Sequence, residues 1–80
     1  MKILSVTPRE NYQLEIMTDN GKFGLFDVRP YLNAEAFIPL QNMTAFCRVE
    51  NGGYFVEWEC GADLSVDTIA AHWQPIVLAA

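Results

Sequence analysis

Several absences narrow the chemistry open to this chain before any pattern is sought. It carries one histidine, two cysteines and five basic residues among 80. One imidazole and two thiols fall short of the four N or S donors of a structural zinc site. Cys47 and Cys60 are also too few for the disulfide framework of a small secreted domain, so free thiols are expected. Lys2, Arg9, Lys22, Arg29 and Arg48 stand singly along the sequence. Phosphate backbones are bound by clustered Lys and Arg, and no direct nucleic-acid contact is expected. No apolar run approaches the roughly 20 residues that span a bilayer. Met1-Lys2-Ile3-Leu4 breaks at Ser5, before it can form the apolar core of a signal peptide. A cytoplasmic setting without a membrane partner is expected. Repeats, low-complexity tracts and linkers are also missing, which makes residues 1–80 a single expected domain.

What remains is the composition of a folded chain, 51% hydrophobic and 19% charged, with aromatic residues from Tyr12 to Trp73. Disordered chains are poorer in aromatics and more highly charged. A chain this short buries only about 60% of its unfolded surface, so its core is thin. Ten acidic residues against five basic give a formal net charge of −5, compatible with a partner that carries a basic surface.

Lys2 to Thr7, rich in Ile, Leu and Val and closed by Pro8, reads as a first strand. From Tyr12, alternation places Tyr12, Leu14 and Ile16 on one face and Gln13 and Glu15 on the other. Asn20-Gly21 predicts a type I′ hairpin turn, which needs positive φ at both central residues. The return strand, Phe23 to Val28, has Phe23 and Phe26 three apart. Either both faces are partly covered, or a bulge near Gly24 resets the register, the reading favoured here. Pro30 suits the first turn of a short helical stretch, Tyr31 to Ile38, stopped by Pro39. Asn42 to Phe46 reads as one further turn. Cys47 to Glu50 and Tyr54 to Glu59 flank Asn51-Gly52-Gly53 as a second hairpin, with Tyr54, Val56 and Trp58 on one face. Val66, Ile69, Ala70 and Trp73 then form one apolar helical stripe, with Ser65 as N-cap, Asp67 in the first turn and Pro75 beyond the end. The expected fold is α+β: antiparallel β-hairpins of about five strands with short helices, the clearest near the C-terminus.

This order of landmarks resembles DUF2442, a family of small prokaryotic domains of unknown function. The matching residues are Tyr12 with Leu14, Asn20-Gly21, Phe26-Asp27-Val28 with Pro30, and Phe37 with Leu40. They continue with Phe46, Gly52-Gly53, Trp58, Gly61-Ala62-Asp63-Leu64 and Asp67-Thr68. Members often have Pro just after the Trp, where this chain has Glu59-Cys60. Some members continue into a helix-turn-helix domain, whereas only an apolar tail follows here, and DNA binding is not carried over. The resemblance implies an α+β domain, a neighbouring small protein of the toxin–antitoxin kind, and no catalytic residues to transfer.

Asp27, before Arg29-Pro30, fits a cation ligand or a base less well than a cap on the turn amides. Glu57, Glu59, Asp63 and Asp67 form an acidic run around the second hairpin and the helix start. Hard cations take several oxygen ligands, but this spacing matches no known ion-binding loop. The run is read as a solvated face or a partner-docking surface. His72 lies off the apolar stripe, and nothing in the spacing marks Cys47, Cys60 or Ser65 as a nucleophile that it would activate. Gly52, Gly53 and Gly61 lack a phosphate-loop framework and read as turn residues. Trp58 and Trp73 read as core. The uncharged tail, from Ile76 through Val77 and Leu78, is expected to pack on the sheet, add an edge strand or make a dimer contact. No cofactor is expected. The favoured function is a non-enzymatic interaction or regulatory module with a protein partner or a second copy. The alternatives are a ligand- or metal-binding domain or minor enzyme using the acidic run, and a regulator-associated domain without its own DNA-binding helix.

Overall fold

The computed structural model describes residues 1–76. In chain order the strands are β1 (Ile3–Pro8), β2 (Gln13–Thr18), β3 (Phe23–Asp27), β4 (Glu50–Asn51), β5 (Phe55–Glu57), β6 (Asp63–Ser65) and β7 (Gln74–Pro75). The helices are α1 (Met43–Phe46) and α2 (Val66–His72), with 3-10 segments at Arg29–Tyr31 and Glu35–Gln41. The main sheet has the order β1-β2-β3-β7 and the small sheet the order β4-β5-β6, with every pairing antiparallel. The α+β class and the C-terminal position of α2 follow the sequence reading. The strands β6 and β7 were not expected: they are as short as β4 and β5 but lack the Gly-Gly turn that marks those two. Among the described residues no helix is long and apolar enough to cross a membrane.

Three connections share one backbone solution. At Thr18–Lys22, Arg9–Gln13 and Trp58–Ala62 the flanking residues pair through an N–H to C=O bond around a three-residue loop. The third loop residue has positive φ each time: Gly21 at 80°, Tyr12 at 63° and Gly61 at 96°. This is a type I turn followed by a left-handed residue. It replaces the type I′ turn expected at Asn20-Gly21, since Asn20 keeps negative φ. Asn20 serves instead through its side chain, which accepts from the hydroxyl of buried Thr18. Tyr12 takes the glycine position of its turn because its ring packs edge-on to Phe46 with centroids 5.2 Å apart, and its hydroxyl donates to the Gln41 carbonyl.

The bulge expected near Gly24 is absent. β2 and β3 pair in regular register from Gln13↔Asp27 to Met17↔Phe23, and the irregularity falls in β1 between Ile3 and Ser5. Phe23 and Phe26 therefore do face opposite sides. Gly24 answers a packing need instead: a Cβ there would lie 2.6 Å from the Trp73 ring, which is seated on the strand. Pro39 also departs from expectation by sitting inside a 3-10 segment. Phe37 donates to Ala34 and Asn42 to Pro39, so the segment is two successive turns, and neither needs an N–H from the proline.

The core lies between the main sheet and everything that follows it. Leu14 and Ile16 of β2 and Phe26 of β3 meet Phe37, Leu40, Phe46, Val56, Leu64 and Ile69. Trp58, 3% exposed, donates its indole N–H to the Phe46 carbonyl at 2.9 Å. The two sheets meet at Ile3, whose N–H donates to the Gly53 carbonyl at 2.7 Å and whose carbonyl accepts from the Asn51 side chain at 3.0 Å. α2 is capped as expected, the Ser65 hydroxyl accepting from the Thr68 N–H at 3.1 Å, with Val66 and Ile69 buried. Trp73 is half-buried. Tyr54 is not on the buried face: it is 63% exposed, because β5 begins at Phe55 and Tyr54 belongs to the turn.

Gly24→Ala should destabilise the domain by about 1–3 kcal/mol in denaturant unfolding. In a Trp73→Ala background the same substitution should cost much less, since the group that clashes has gone.

Candidate interaction surface

Two residues of β4, three of β5 and three of β6 build a surface whose inner side buries Val56 and Leu64. Period-2 alternation turns Glu57, Asp63, Phe55 and Ser65 outward. The register sets Glu50 opposite Glu57 and Glu57 opposite Asp63, so three exposed carboxylates form one row across three strands. Directly opposed positions bring Cβ atoms to about 4.5–5.5 Å, where like charges destabilise a sheet. Among the described residues the ion pairs are Arg9–Glu15 and Arg29–Asp27, and neither involves this row. Phe55, opposite Ser65, lies over Gly52, where a Cβ would approach its ring to 2.4 Å. The surface is thus an acidic row with an aromatic neighbour.

The structure separates the four acids grouped by sequence. Glu57 and Asp63 are paired in the row. Glu59 stands in the Glu59-Cys60-Gly61 loop and borders an open depression with Glu50, Glu57 and Trp58. Asp67 is in the first turn of α2, outside the row. Glu50 was missed by sequence reading. Its place follows from the turn: Gly52 bonds to the Phe55 carbonyl at 2.8 Å, closing a Gly53-Tyr54 loop. Counting outward from that loop pairs Glu50 with Glu57, whereas a loop of Asn51-Gly52-Gly53 pairs it with Tyr54. Of the tail residues, Ile76 donates its N–H to the Phe23 carbonyl at 2.8 Å, while Val77 and Leu78 lie outside the described residues.

Other candidates resolve into local structural roles. Asp27 accepts from the Arg29 backbone N–H at 2.9 Å and from the Arg29 guanidinium at 2.8–3.1 Å. That guanidinium holds the Asp27 carboxyl below the ordinary value of 3.8, against a smaller opposing effect of burial, and Arg29 is raised in return. Cys47 and Cys60 are both free and exposed. Cys60 borders a cleft of about 60 Å³ with Leu40, Ala45, Arg48, Trp58 and Glu59, far below the roughly 300 Å³ at which metabolite pockets begin. Among the described residues no group of three or more His, Cys, Asp or Glu is disposed to hold a metal ion.

The model of one protein family, described as "Protein of unknown function (DUF2442)", matches residues 3–75. Neither a curated protein nor a solved structure matches the chain.

Relief of the carboxylate row should stabilise the free domain. Glu57→Gln is expected to raise the thermal midpoint by roughly 1–4 °C at low salt, and by less at high salt. The Asp27–Arg29 pair acts in the acid range. A depressed carboxyl contributes stability above its unfolded pKa, and that contribution disappears as pH falls through the folded value. Asp27→Asn should therefore lower the unfolding midpoint slightly at neutral pH, the difference should shrink as pH falls through the folded value, and the Asp27 carboxyl resonance should titrate below 3.8.

Proposed function

The chain belongs to the DUF2442 family, and on that footing we propose that it acts by surface contact, as a non-enzymatic module that docks a basic protein partner. The observation that carries this reading is the row Glu50–Glu57–Asp63 across the small sheet. A sheet selected for stability alone places opposite charges or Thr at opposed exposed positions; three carboxylates in register cost the free domain stability. An arriving cationic surface recovers that cost, because each Arg or Lys meets carboxylates already aligned. Phe55 and Tyr54 beside the row provide aromatic faces on which a guanidinium stacks. The same arrangement suits an antitoxin-like role, in which the acidic face covers a basic protein.

The experiment is affinity capture from the native cell with the parent chain and with a Glu57→Lys/Asp63→Lys variant as parallel baits. A basic protein retained by the parent, released by salt and lost from the folded variant is the expected result. If no captured protein distinguishes the two baits, the reading fails.

A further inference from the structure

The charge of this chain is divided between its two halves. Residues 1–29, which form β1 to β3, contain four cations, Lys2, Arg9, Lys22 and Arg29, and four acids, Glu10, Glu15, Asp19 and Asp27. Residues 30–80 contain the remaining six acids against Arg48 alone, and so carry the whole net charge of −5. The outer face of the main sheet, turned away from the core, belongs to the neutral half.

That face is apolar at one end. The β1 irregularity turns both Leu4 and Ser5 outward, leaving Leu4 57% exposed beside Met17 at 38%. Met17 is opposite Phe23, the next strand position outward is Leu25, and Ile76 bonds alongside Phe23. These five side chains run across β1, β2 and β3 to Ile76, just beyond β7. At the other end, Glu15 and Asp27 also point outward, each neutralised by its own arginine, Arg9 and Arg29.

We propose that this face is a homodimer interface, in which two copies pack their main sheets face to face about a twofold axis. Charge selects the occupant. Two copies of a −5 chain repel, most strongly wherever the acidic rows approach, and the main-sheet face is where they meet without opposing like charges. A twofold contact places the same apolar band against itself, with Met and Phe at its centre, as interface cores favour. The acidic rows remain on the outside of both copies. The strands β1 to β3, about 4.8 Å apart and about five residues long, with two-residue β7 at their edge, give a footprint of at most about 19 by 17 Å. That is less than half the standard interface of about 800 Å² per partner, so the dimer is weak and reversible.

Sedimentation velocity of the full chain from about 1 to about 500 µM tests this. The sedimentation coefficient should rise from monomer to dimer with concentration, and the rise should persist at about 0.5 M salt, since the contact is apolar. Met17→Lys and Leu4→Lys, both at exposed positions, should abolish the rise while leaving the circular dichroism spectrum unchanged, and Glu57→Lys should preserve it. Dimerisation is separate from partner docking: Met17→Lys is expected to capture the same basic protein as the parent. A full chain that stays monomeric throughout overturns the proposal. So does association that survives Met17→Lys, or that is lost in Glu57→Lys instead. A chain ending at Ile76 that dimerises where the full chain does not would assign the face to residues 77–80, and would also overturn it.

Discussion

Trp58 holds the two sheets of this domain together. Its indole N–H is bound by the Phe46 carbonyl, and its ring lies 6.0 Å from Phe46 and 6.1 Å from Phe37. Phe46 continues to Tyr12, and Phe37 to Tyr31 and then Phe26. A single chain of ring contacts thus leaves the main sheet at the β1–β2 turn, passes through α1, Trp58 just beyond β5 and both 3-10 segments, and returns to the main sheet at β3. Each such pair contributes about 0.5–1.5 kcal/mol beyond simple burial. In a domain with so small a core, α1 and the two 3-10 segments, none longer than seven residues, are tied to the main sheet through this circuit. The buried polar atom within it is satisfied, which fixes the ring orientation as well as its depth.

The circuit leaves outward surfaces of different character. The main sheet turns out an apolar band edged by self-neutralised ion pairs. The small sheet turns out carboxylates aligned strand to strand. Neither pattern is what stability alone would select, since opposed like charges and exposed Leu and Met both carry costs. Their separation is a property of the chain's order: the balanced charges are in its first 29 residues and the excess acid in the rest. A module that meets its own copy through one surface and a basic protein through another needs such a division.

Long-period features of the fold were legible in the sequence; pairings set by tertiary contact were not. Alternation marked β2, the stripe Val66, Ile69, Ala70 and Trp73 marked α2, and Ser65 marked its start. β4 and β5, equally short, were marked by the Gly52-Gly53 turn between them, and β6 and β7 escaped because no such turn introduces them. Gly24 looked like a bulge because a glycine in a strand loosens the backbone, and the sequence does not show that Trp73 returns from the far end of the chain to lie on it. The acidic run was visible as composition, but only Glu57 and Asp63 of its four members share the row. Glu50 joins them through a register set by where the turn falls: a loop at 51–53 instead of 53–54 would move its partner three residues, from Glu57 to Tyr54. A slip of one residue exchanges the faces of a strand, so local composition identified the kind of surface but not its members.

Tyr12 has one further consequence. In the turns at Gly21 and Gly61, glycine supplies the left-handed conformation at little local cost. At Tyr12 the same conformation is unfavourable until Gln41 and Phe46 are in place to receive the hydroxyl and the ring. The first hairpin thus lacks a self-sufficient turn. Its closure draws on residues some thirty positions later, so this hairpin and the segment from Gln41 to Phe46 stabilise one another and neither is a module on its own.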